Sequence, residues 1–190
     1  MKTNRRIHPA WIAAIVTFFT LVATAGFRSA PSVLIIPLQD AFGWHRDEIS
    51  LAIAINVLLY GLTAPFAAAL MERFTVRKVV MGALTTVSTG AFLTTLINAP
   101  WQLIATWGVI VGIGTGSMAL VFAATVANRW FVKRRGLVIG GLTAAAAMGQ
   151  LIFLPGLTHL SGTYGWKSIG VTIGAAAFLL VPMIYVFLRE

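Results

Sequence analysis

The feature that most constrains this chain is a series of long, apolar, almost uncharged stretches separated by short polar links. A helix needs about 20 mostly apolar residues to cross about 30 Å of hydrocarbon, at a rise of about 1.5 Å per residue. Within lipid, a helix satisfies the hydrogen bonds of its own backbone. The pattern therefore predicts an all-α, polytopic membrane protein. We place six transmembrane spans near residues 11–38, 49–71, 79–97, 101–126, 137–160 and 169–188.

The composition agrees with this prediction. Of 190 residues, 58% are hydrophobic and 10% are charged, whereas about a quarter of the residues in an ordinary soluble domain are charged. Each link is too short to form a soluble domain, so we expect residues 1–190 to form a single six-helix transmembrane bundle in a lipid bilayer. The net charge of +9 comes from basic residues that lie between apolar stretches. We interpret it as a signal of topology and not of nucleic-acid binding.

Lys and Arg are distributed unequally between the two ends of the spans. The termini and alternate links carry Lys2, Arg5, Arg6, Arg73, Arg77, Lys78, Arg129, Lys133, Arg134, Arg135 and Arg189. The other links carry only Arg46 and Lys167. Because basic residues near span ends favour the cytoplasmic side, we expect both termini in the cytoplasm and an even number of spans in the cell inner (plasma) membrane.

The first span also has features of a secretory signal peptide. Arg5 and Arg6 precede an apolar run that reaches an Ala-x-Ala sequence ending at Ala25, which resembles a cleavage site. The apolar stretch nevertheless continues to Leu38, which is longer than a signal core, and cleavage would leave an odd number of spans. We therefore favour a first span that is retained.

Polar residues inside a span are costly and are candidates for function by default. In the first span they occur at Thr17, Thr24, Arg28, Ser32 and Gln39, spacings that place them on one helical face. Arg28 is the only charged residue well inside a predicted span, and no acid lies at a comparable depth. We predict that Arg28 faces a central cavity and attracts a carboxylate, because its planar guanidinium can donate two parallel hydrogen bonds. The alternative is that Arg28 extends to the membrane interface.

Two further spans carry polar stripes. Asn56, Tyr60 and Thr63 recur at helical spacing in the second span, and Thr143 and Gln150 do so in the fifth. For the neutral side chains, hydrogen bonding between helices is the alternative to a role in binding. The predicted substrate-binding residues are Arg28, Ser32, Asn56, Tyr60 and Gln150.

Small residues recur at four-residue spacing in the last three spans. They are Gly108, Gly112 and Gly116 in the fourth span, Gly141, Ala145 and Gly149 in the fifth, and Gly170 and Gly174 in the sixth. Such stripes let helices approach closely. We expect a compact bundle whose helices are either fixed or able to slide at these positions.

No pattern of catalytic or metal-binding residues accompanies these spans. The chain has no Cys, and its three His residues lie in different segments without ligand-like spacing. Ser117 lacks the flanking residues of a serine nucleophile, and Gly112, Gly114 and Gly116 lie inside an apolar span with no strand before them, unlike a nucleotide-binding loop. We expect no enzymatic activity, no metal and no cofactor.

The links between spans carry recognisable motifs. The second link contains Glu72 and Arg73 followed by Arg77 and Lys78, and the link at residues 128–136 combines Trp-Phe with basic residues and a closing Gly. A Gly-Trp-basic turn follows at Gly165. In order and spacing, these motifs resemble the amino-terminal half of the major facilitator superfamily, in particular its bacterial monocarboxylate and oxalate:formate porters. The resemblance covers essentially the whole chain.

This resemblance implies two inverted three-helix repeats, with the first and fourth helices lining a central cavity. It implies that Glu72, Arg73, Arg77 and Lys78 form a conformational-switch loop, and it adds a basic residue of the first helix, Arg28, to the substrate site. A second six-helix half, or a second copy of this chain, would then complete the transporter. The expected function is secondary active transport of a small organic solute, with an anion favoured, by alternating access. The alternative is a non-transporting scaffold, or a truncated remnant, that packs with other membrane proteins.

Overall fold

The computed structural model describes residues 9–118, 120–131 and 135–188. All regular secondary structure in these ranges is helical. The elements are α1 (Pro9–Phe42), α2 (Arg46–Arg73), α3 (Val76–Thr94), α4 (Pro100–Leu103), a π-helix (Ile104–Val111), α5 (Gly112–Gly116), α6 (Leu120–Trp130), α7 (Arg135–Tyr164) and α8 (Lys167–Phe187). The elements from α4 to α6 follow one another along the predicted fourth span, and we refer to them together as the composite helix (Pro100–Trp130).

Two glycines end the longest helices. Gly43 has a φ of 68° and Gly165 a φ of 79°, the left-handed conformation that glycine adopts without steric cost. The Gly43 N–H donates to the Gln39 carbonyl at 2.8 Å, and the Gly165 N–H donates to the Ser161 carbonyl at 3.0 Å. These bonds satisfy the last carbonyls of α1 and α7, so both helices stop one residue before the glycine.

Five helices are long and apolar enough to cross a membrane, which confirms a polytopic membrane protein. They are Ala13–Phe42, Arg46–Arg73, Pro100–Trp130, Arg135–Tyr164 and Lys167–Phe187. Of the six predicted spans, only α3 is not in this set among the described residues. Its 19 residues include Arg77, Lys78 and several Thr, which lower its apolar content. The third span and the count of six therefore stay predictions.

The helices pack in pairs. α1 packs mainly against α7, α2 lies along the composite helix, and α3 lies between α8 and the composite helix. Large side chains such as Phe27, Trp107 and Phe122 are fully buried between these pairs. α2 and α7 are the least covered of the five apolar helices. In an apolar stretch of 18 residues, 17% of α2 and 22% of α7 is buried, against 61% of α1. The apolar surfaces of α2 and α7 therefore face outward, toward lipid or another protein.

The predicted glycine stripe of the fourth span is confirmed as a close contact with α2. A Cβ added at Gly108 would lie 3.2 Å from the Ala52 carbonyl oxygen, and one at Gly112 would lie 3.1 Å from Asn56 Cα. At Gly116 it would lie 2.8 Å from the Tyr60 carbonyl oxygen. The two helices run parallel here, because each four-residue step on one matches a four-residue step on the other. We call this contact the α2–composite interface.

The stripe of the fifth span behaves differently along its length. A Cβ at Gly149 would collide with the Val22 carbonyl of α1, and Ala145 is fully buried. At Gly141, in contrast, an added Cβ would meet no heavy atom of the described residues within 4 Å apart from the neighbouring backbone of α7 itself. In the sixth span, Gly170 approaches the Ala91 carbonyl of α3. Close contact between α1 and α7, which we call the α1–α7 interface, is therefore concentrated around Gly149.

Candidate functional site

Arg28 of α1 meets Tyr60 of α2. The Arg28 Nη1 donates to the Tyr60 hydroxyl at 3.2 Å, and its Cζ lies 4.7 Å from the centroid of the Tyr60 ring. A guanidinium over an aromatic face is attracted by the ring quadrupole. The ring therefore supports the guanidinium from one face while the hydroxyl orients one of its donors. Two residues that the sequence assigned separately to the site are in direct contact.

Two small cavities adjoin this pair. One of about 110 Å³ is lined by Arg28, Pro31, Ile53, Asn56, Val57 and Tyr60. The other, of about 150 Å³, is lined by Leu21, Thr24, Ala25, Arg28, Tyr60, Met118, Ala123, Leu142, Thr143 and Ala146. Arg28 and Tyr60 belong to both linings, so the pair separates two spaces between α1, α2, α6 and α7. We call these the Arg28 cavities.

Among the described residues, no neighbouring acid neutralises the charge of Arg28. Within residues 9–118, 120–131 and 135–188, no carboxylate lies at ion-pair distance from its guanidinium. Arginine has five donors in a planar fork, and only one of them is bonded to Tyr60. The remaining donors can bind a carboxylate in the bidentate geometry that arginine favours.

Asn56 both lines an Arg28 cavity and forms a hydrogen bond to another helix. Its side chain is 5% exposed, and its Nδ2 donates to the Trp107 carbonyl of the composite helix at 2.7 Å. It also lines the smaller of the Arg28 cavities. For Asn56, the predicted alternative of a hydrogen bond between helices is confirmed. A buried carbonyl left without such a donor costs about 1–3 kcal/mol.

The acceptor of this bond lies in a π-helix, which the sequence analysis missed. The π-helix spans Ile104–Val111, and the Gly112 N–H at its end donates to the Val109 carbonyl. The Trp107 carbonyl accepts a further hydrogen bond from the Asn56 side chain of α2. The Trp107 indole Nε1 is buried without a hydrogen-bond partner among the described residues. A buried Asn at four-residue spacing from Tyr60 was the only sequence signal near this region.

Ser32 and Gln150 lie away from the Arg28 cavities. The Ser32 hydroxyl donates to the Ser29 carbonyl at 2.6 Å, and Ser32 lines a wider groove between α1 and α7. This Ser32 groove has a volume of about 800 Å³ and also contains Asp40, Thr158 and Trp166. Gln150 is exposed on α7 and belongs to none of these linings among the described residues. Its role in binding stays a prediction.

The polar residue that α7 contributes to the larger Arg28 cavity is Thr143, which the sequence placed on the same stripe as Gln150 but not in the site. Met118 of the composite helix was also missed.

At the other end of the α1–α7 interface, a groove of about 280 Å³ has an almost entirely apolar lining that includes Trp11, Phe18 and Leu137. We call it the Trp11 groove.

The predicted switch loop lies where α2 ends and α3 begins. Glu72 and Arg73 are exposed, and within the described ranges no ion pair joins Glu72 to a basic side chain. Arg77 reaches α8, with its Cζ 4.8 Å from the ring centroid of Tyr185. The Lys78 N–H donates to the Thr75 hydroxyl at 3.4 Å, which caps α3. These contacts describe how the loop is held, and the switching role of Glu72, Arg73, Arg77 and Lys78 stays a prediction.

Lys133 and Arg134 of the link at residues 128–136 lie outside the described residues.

Comparison with known proteins gives consistent matches over the length of the chain. A family profile described as Major Facilitator Superfamily matches residues 14–190. The chain is 28% identical over 187 residues to the uncharacterized MFS-type transporter YcxA of Bacillus subtilis (strain 168), covering 97% of this chain and 45% of that protein. It is 29% identical over 157 residues to monocarboxylate transporter 7 of Homo sapiens, covering 83% of this chain and 30% of that protein.

A third similar protein is monocarboxylate transporter 9 of Mus musculus. It is 28% identical over 173 residues, covering 88% of this chain and 33% of the mouse protein. The chain therefore spans less than half the length of these curated relatives.

Proposed function

Because this chain belongs to the major facilitator superfamily, we propose that its 190 residues form one six-helix bundle and supply the amino-terminal half of a secondary transporter. The solute that we propose is a small organic carboxylate, moved by alternating access. A second six-helix half, or a second copy of this chain, completes the cavity. The bundle lies in the cell inner membrane with both termini in the cytoplasm, as the distribution of Lys and Arg favours.

The observation that carries the proposal is Arg28. Its guanidinium adjoins two cavities, lies against Tyr60, and has no acid at ion-pair distance among the described residues. An arginine inside a membrane is costly, so it is usually found where it serves a substrate path or has a partner. Two of the relatives carry the name monocarboxylate transporter, which agrees in charge with a site built on an arginine.

The helix pairing supports two inverted repeats. Exchange of the first three spans with the last three converts the α1–α7 pair into the pair of the composite helix with α2, and both pairs are major contacts. The same exchange leaves the α3–α8 pair unchanged, and this is also a major contact. Such a pairing is expected if the bundle consists of two three-helix units related by a pseudo-two-fold axis.

The proposal is tested by binding of radiolabelled L-lactate to the purified chain in lipid nanodiscs. Arg28→Gln removes the charge and should weaken binding by about 10- to 100-fold, the range expected for hydrogen bonds to a charged group. Arg28→Lys keeps the charge without the planar fork and should have an intermediate effect. Arg46→Gln is the matched control, because Arg46 is exposed at the start of α2, away from the Arg28 cavities. Equal binding by Arg28→Gln and the parent chain would contradict the proposal.

A further inference from the structure

We propose that Thr143 of α7 makes the larger Arg28 cavity selective for carboxylates that carry a hydroxyl on the carbon next to the carboxylate. Such 2-hydroxy acids are favoured over 2-oxo acids and unsubstituted acids of the same length. The inference rests on the proposed function, since it takes Arg28 as the residue that binds the carboxylate. It goes beyond that function because it names the class of acid and the residue that selects it.

The larger Arg28 cavity offers few polar groups to a ligand. Of the ten described residues that line it, four have polar side chains, namely Thr24, Arg28, Tyr60 and Thr143. The other six are Ala, Leu or Met, whose side chains form at most weak hydrogen bonds. The four polar side chains therefore determine which substituents of a bound acid find a hydrogen-bond partner.

Arg28 and Tyr60 supply the hydrogen-bond donors. The guanidinium has five donors, and the bond from Nη1 to the Tyr60 hydroxyl uses one of them. The Tyr60 oxygen accepts this bond, so its own hydrogen is left for an acceptor on the ligand. Both residues suit an ionised carboxylate, which only accepts hydrogen bonds.

The two threonines supply the acceptors. The Thr143 hydroxyl donates to the Ile139 carbonyl at 2.8 Å, and the Thr24 hydroxyl donates to the Thr20 carbonyl at 2.7 Å. A hydroxyl has one hydrogen and two lone pairs, so each oxygen can still accept a hydrogen bond. Thr24 is 4% exposed, whereas Thr143 is exposed. Thr143 is therefore the acceptor that a ligand reaches more readily.

A short 2-hydroxy acid matches this arrangement of donors and acceptors. Its carboxylate accepts from Arg28, and its hydroxyl donates to the Thr143 oxygen, because both residues line the same small cavity. A 2-oxo group has no hydrogen to donate, and an unsubstituted carbon forms no such bond, so neither uses this acceptor. The cavity volume of about 150 Å³ is about five times the roughly 30 Å³ that one water molecule occupies in the liquid. That volume suits an acid of about five or six non-hydrogen atoms.

The inference is tested by equilibrium binding of three radiolabelled acids to the purified chain in lipid nanodiscs. L-Lactate, pyruvate and propionate each have three carbons and one carboxylate, and they differ only at the second carbon. The parent chain should bind lactate about 3- to 10-fold more tightly than the other two, the range expected from one neutral hydrogen bond. Thr143→Val keeps the shape of the side chain without the hydroxyl, so it should lose this preference while its affinity for pyruvate and propionate stays parental.

Two further variants separate the hydroxyl from other effects of the substitution. Thr143→Ser keeps a hydroxyl and should keep the preference for lactate. The matched control is Thr163→Val, because Thr163 is also exposed on α7 and its hydroxyl donates to the His159 carbonyl at 2.9 Å. It lies about 30 Å further along the helix, at about 1.5 Å per residue, and its loss should leave all three affinities unchanged. If Thr143→Val does not yield monodisperse protein, Thr143→Ala also removes the hydroxyl.

Equal affinity of the parent chain for the three acids overturns the inference, and so does a preference for lactate that persists in Thr143→Val. Absence of saturable binding of all three acids overturns it as well, because every residue in the described lining belongs to this chain. The proposed function is judged separately by Arg28→Gln. If the parent binds the three acids equally and Arg28→Gln weakens all three, the carboxylate site stands and the selection by Thr143 is wrong.

Discussion

Two helix interfaces in this protein use the same glycine spacing but close to different degrees. At the α2–composite interface, Gly108, Gly112 and Gly116 bring the backbones together at three successive four-residue steps. At the α1–α7 interface, close contact is concentrated around Gly149. On either side of that contact lie the Trp11 groove, of about 280 Å³, and the Ser32 groove, of about 800 Å³.

The difference teaches that glycine spacing alone does not determine how a helix pair can move. Contact along several turns, reinforced by the bond from Asn56 to Trp107, favours movement of α2 and the composite helix as one unit. At the α1–α7 interface, Gly149 meets Val22 and Gly26 meets Phe153 on two neighbouring turns, with a groove at each end, which lets α1 and α7 tilt about those turns. We therefore expect the α1–α7 interface to act as a pivot and the α2–composite interface to act as a rigid unit. Four substitutions test this comparison, in order of decreasing effect.

The largest effect is expected from Gly149→Ala at the pivot. The new Cβ would collide with the Val22 carbonyl and lie 2.8 Å from Ala25 Cβ, so the backbones of α1 and α7 must separate. Overpacking of this kind costs about 1–3 kcal/mol, and we expect the upper part of that range. Thermal unfolding of the purified chain in detergent measures the cost. Gly140→Ala is the control, because a Cβ there meets no described heavy atom within 4 Å apart from the neighbouring backbone of the same helix. Equal stability of the two variants would contradict the idea that the α1–α7 interface is a pivot.

A smaller loss is expected from Gly116→Ala in the rigid unit. Its Cβ would lie 2.8 Å from the carbonyl oxygen and 2.9 Å from the Cα of Tyr60, at a cost of about 1–2 kcal/mol. Because Tyr60 supports Arg28, binding of L-lactate should weaken together with stability. Gly61→Ala is the control, since a Cβ there has open space among the described residues. A loss of stability with unchanged lactate binding would show that the α2–composite interface does not affect the site.

The third substitution, Tyr60→Phe, tests the site within the rigid unit. The ring under the Arg28 guanidinium is kept, whereas the hydroxyl that accepts from Nη1 at 3.2 Å is removed. We expect lactate binding to weaken about two- to fivefold, because the guanidinium loses an orienting partner worth about 0.5–1 kcal/mol. A scintillation proximity assay measures the affinity. Tyr164→Phe, at the exposed end of α7, should bind as the parent does, and a Tyr60→Phe variant with parental affinity would show that the ring alone positions Arg28.

The smallest effect is expected from Gly141→Leu, which fills part of the Trp11 groove. Apart from the neighbouring backbone of α7, no described heavy atom lies within 4 Å of a Cβ at Gly141, and the groove around it is apolar. The new side chain should change stability by less than about 1 kcal/mol, in the stabilising direction, through the apolar surface that it buries. Thermal unfolding is again the measurement. A marked loss of stability would mean that α1 and α7 approach closely here, contrary to the comparison.

Sequence reasoning succeeded where the physics was local to one helix. The face shared by Arg28 and Ser32 follows from helical spacing, and so does the stripe of Asn56 and Tyr60 on α2. The contact between Arg28 and Tyr60 brings these two faces together, whereas the role of Arg28 in binding stays a prediction. The glycine stripe of the fourth span was likewise predicted and found at a helix contact.

It failed where the outcome depends on a neighbouring helix. Periodicity tells which residues share a face but not which way that face is turned, so it does not show that Thr143 lines an Arg28 cavity, and the role of Gln150 stays a prediction. The π-helix Ile104–Val111 was missed, and the side-chain bond that it accepts comes from Asn56 on another helix.

The burial of Trp107 gives this protein an optical probe of its own. Trp107 is 1% exposed and lies in the π-helix, whereas Trp11 and Trp101 are 44% and 66% exposed. Its indole N–H has no partner among the described residues, and indole emission shifts to longer wavelength when that group meets water or another polar neighbour. If the α2–composite interface were not rigid, movement of the composite helix against α2 would change this environment directly. In a variant whose other five tryptophans are replaced by Phe, the emission spectrum followed as a carboxylate is added would therefore report the conformation of the composite helix in real time.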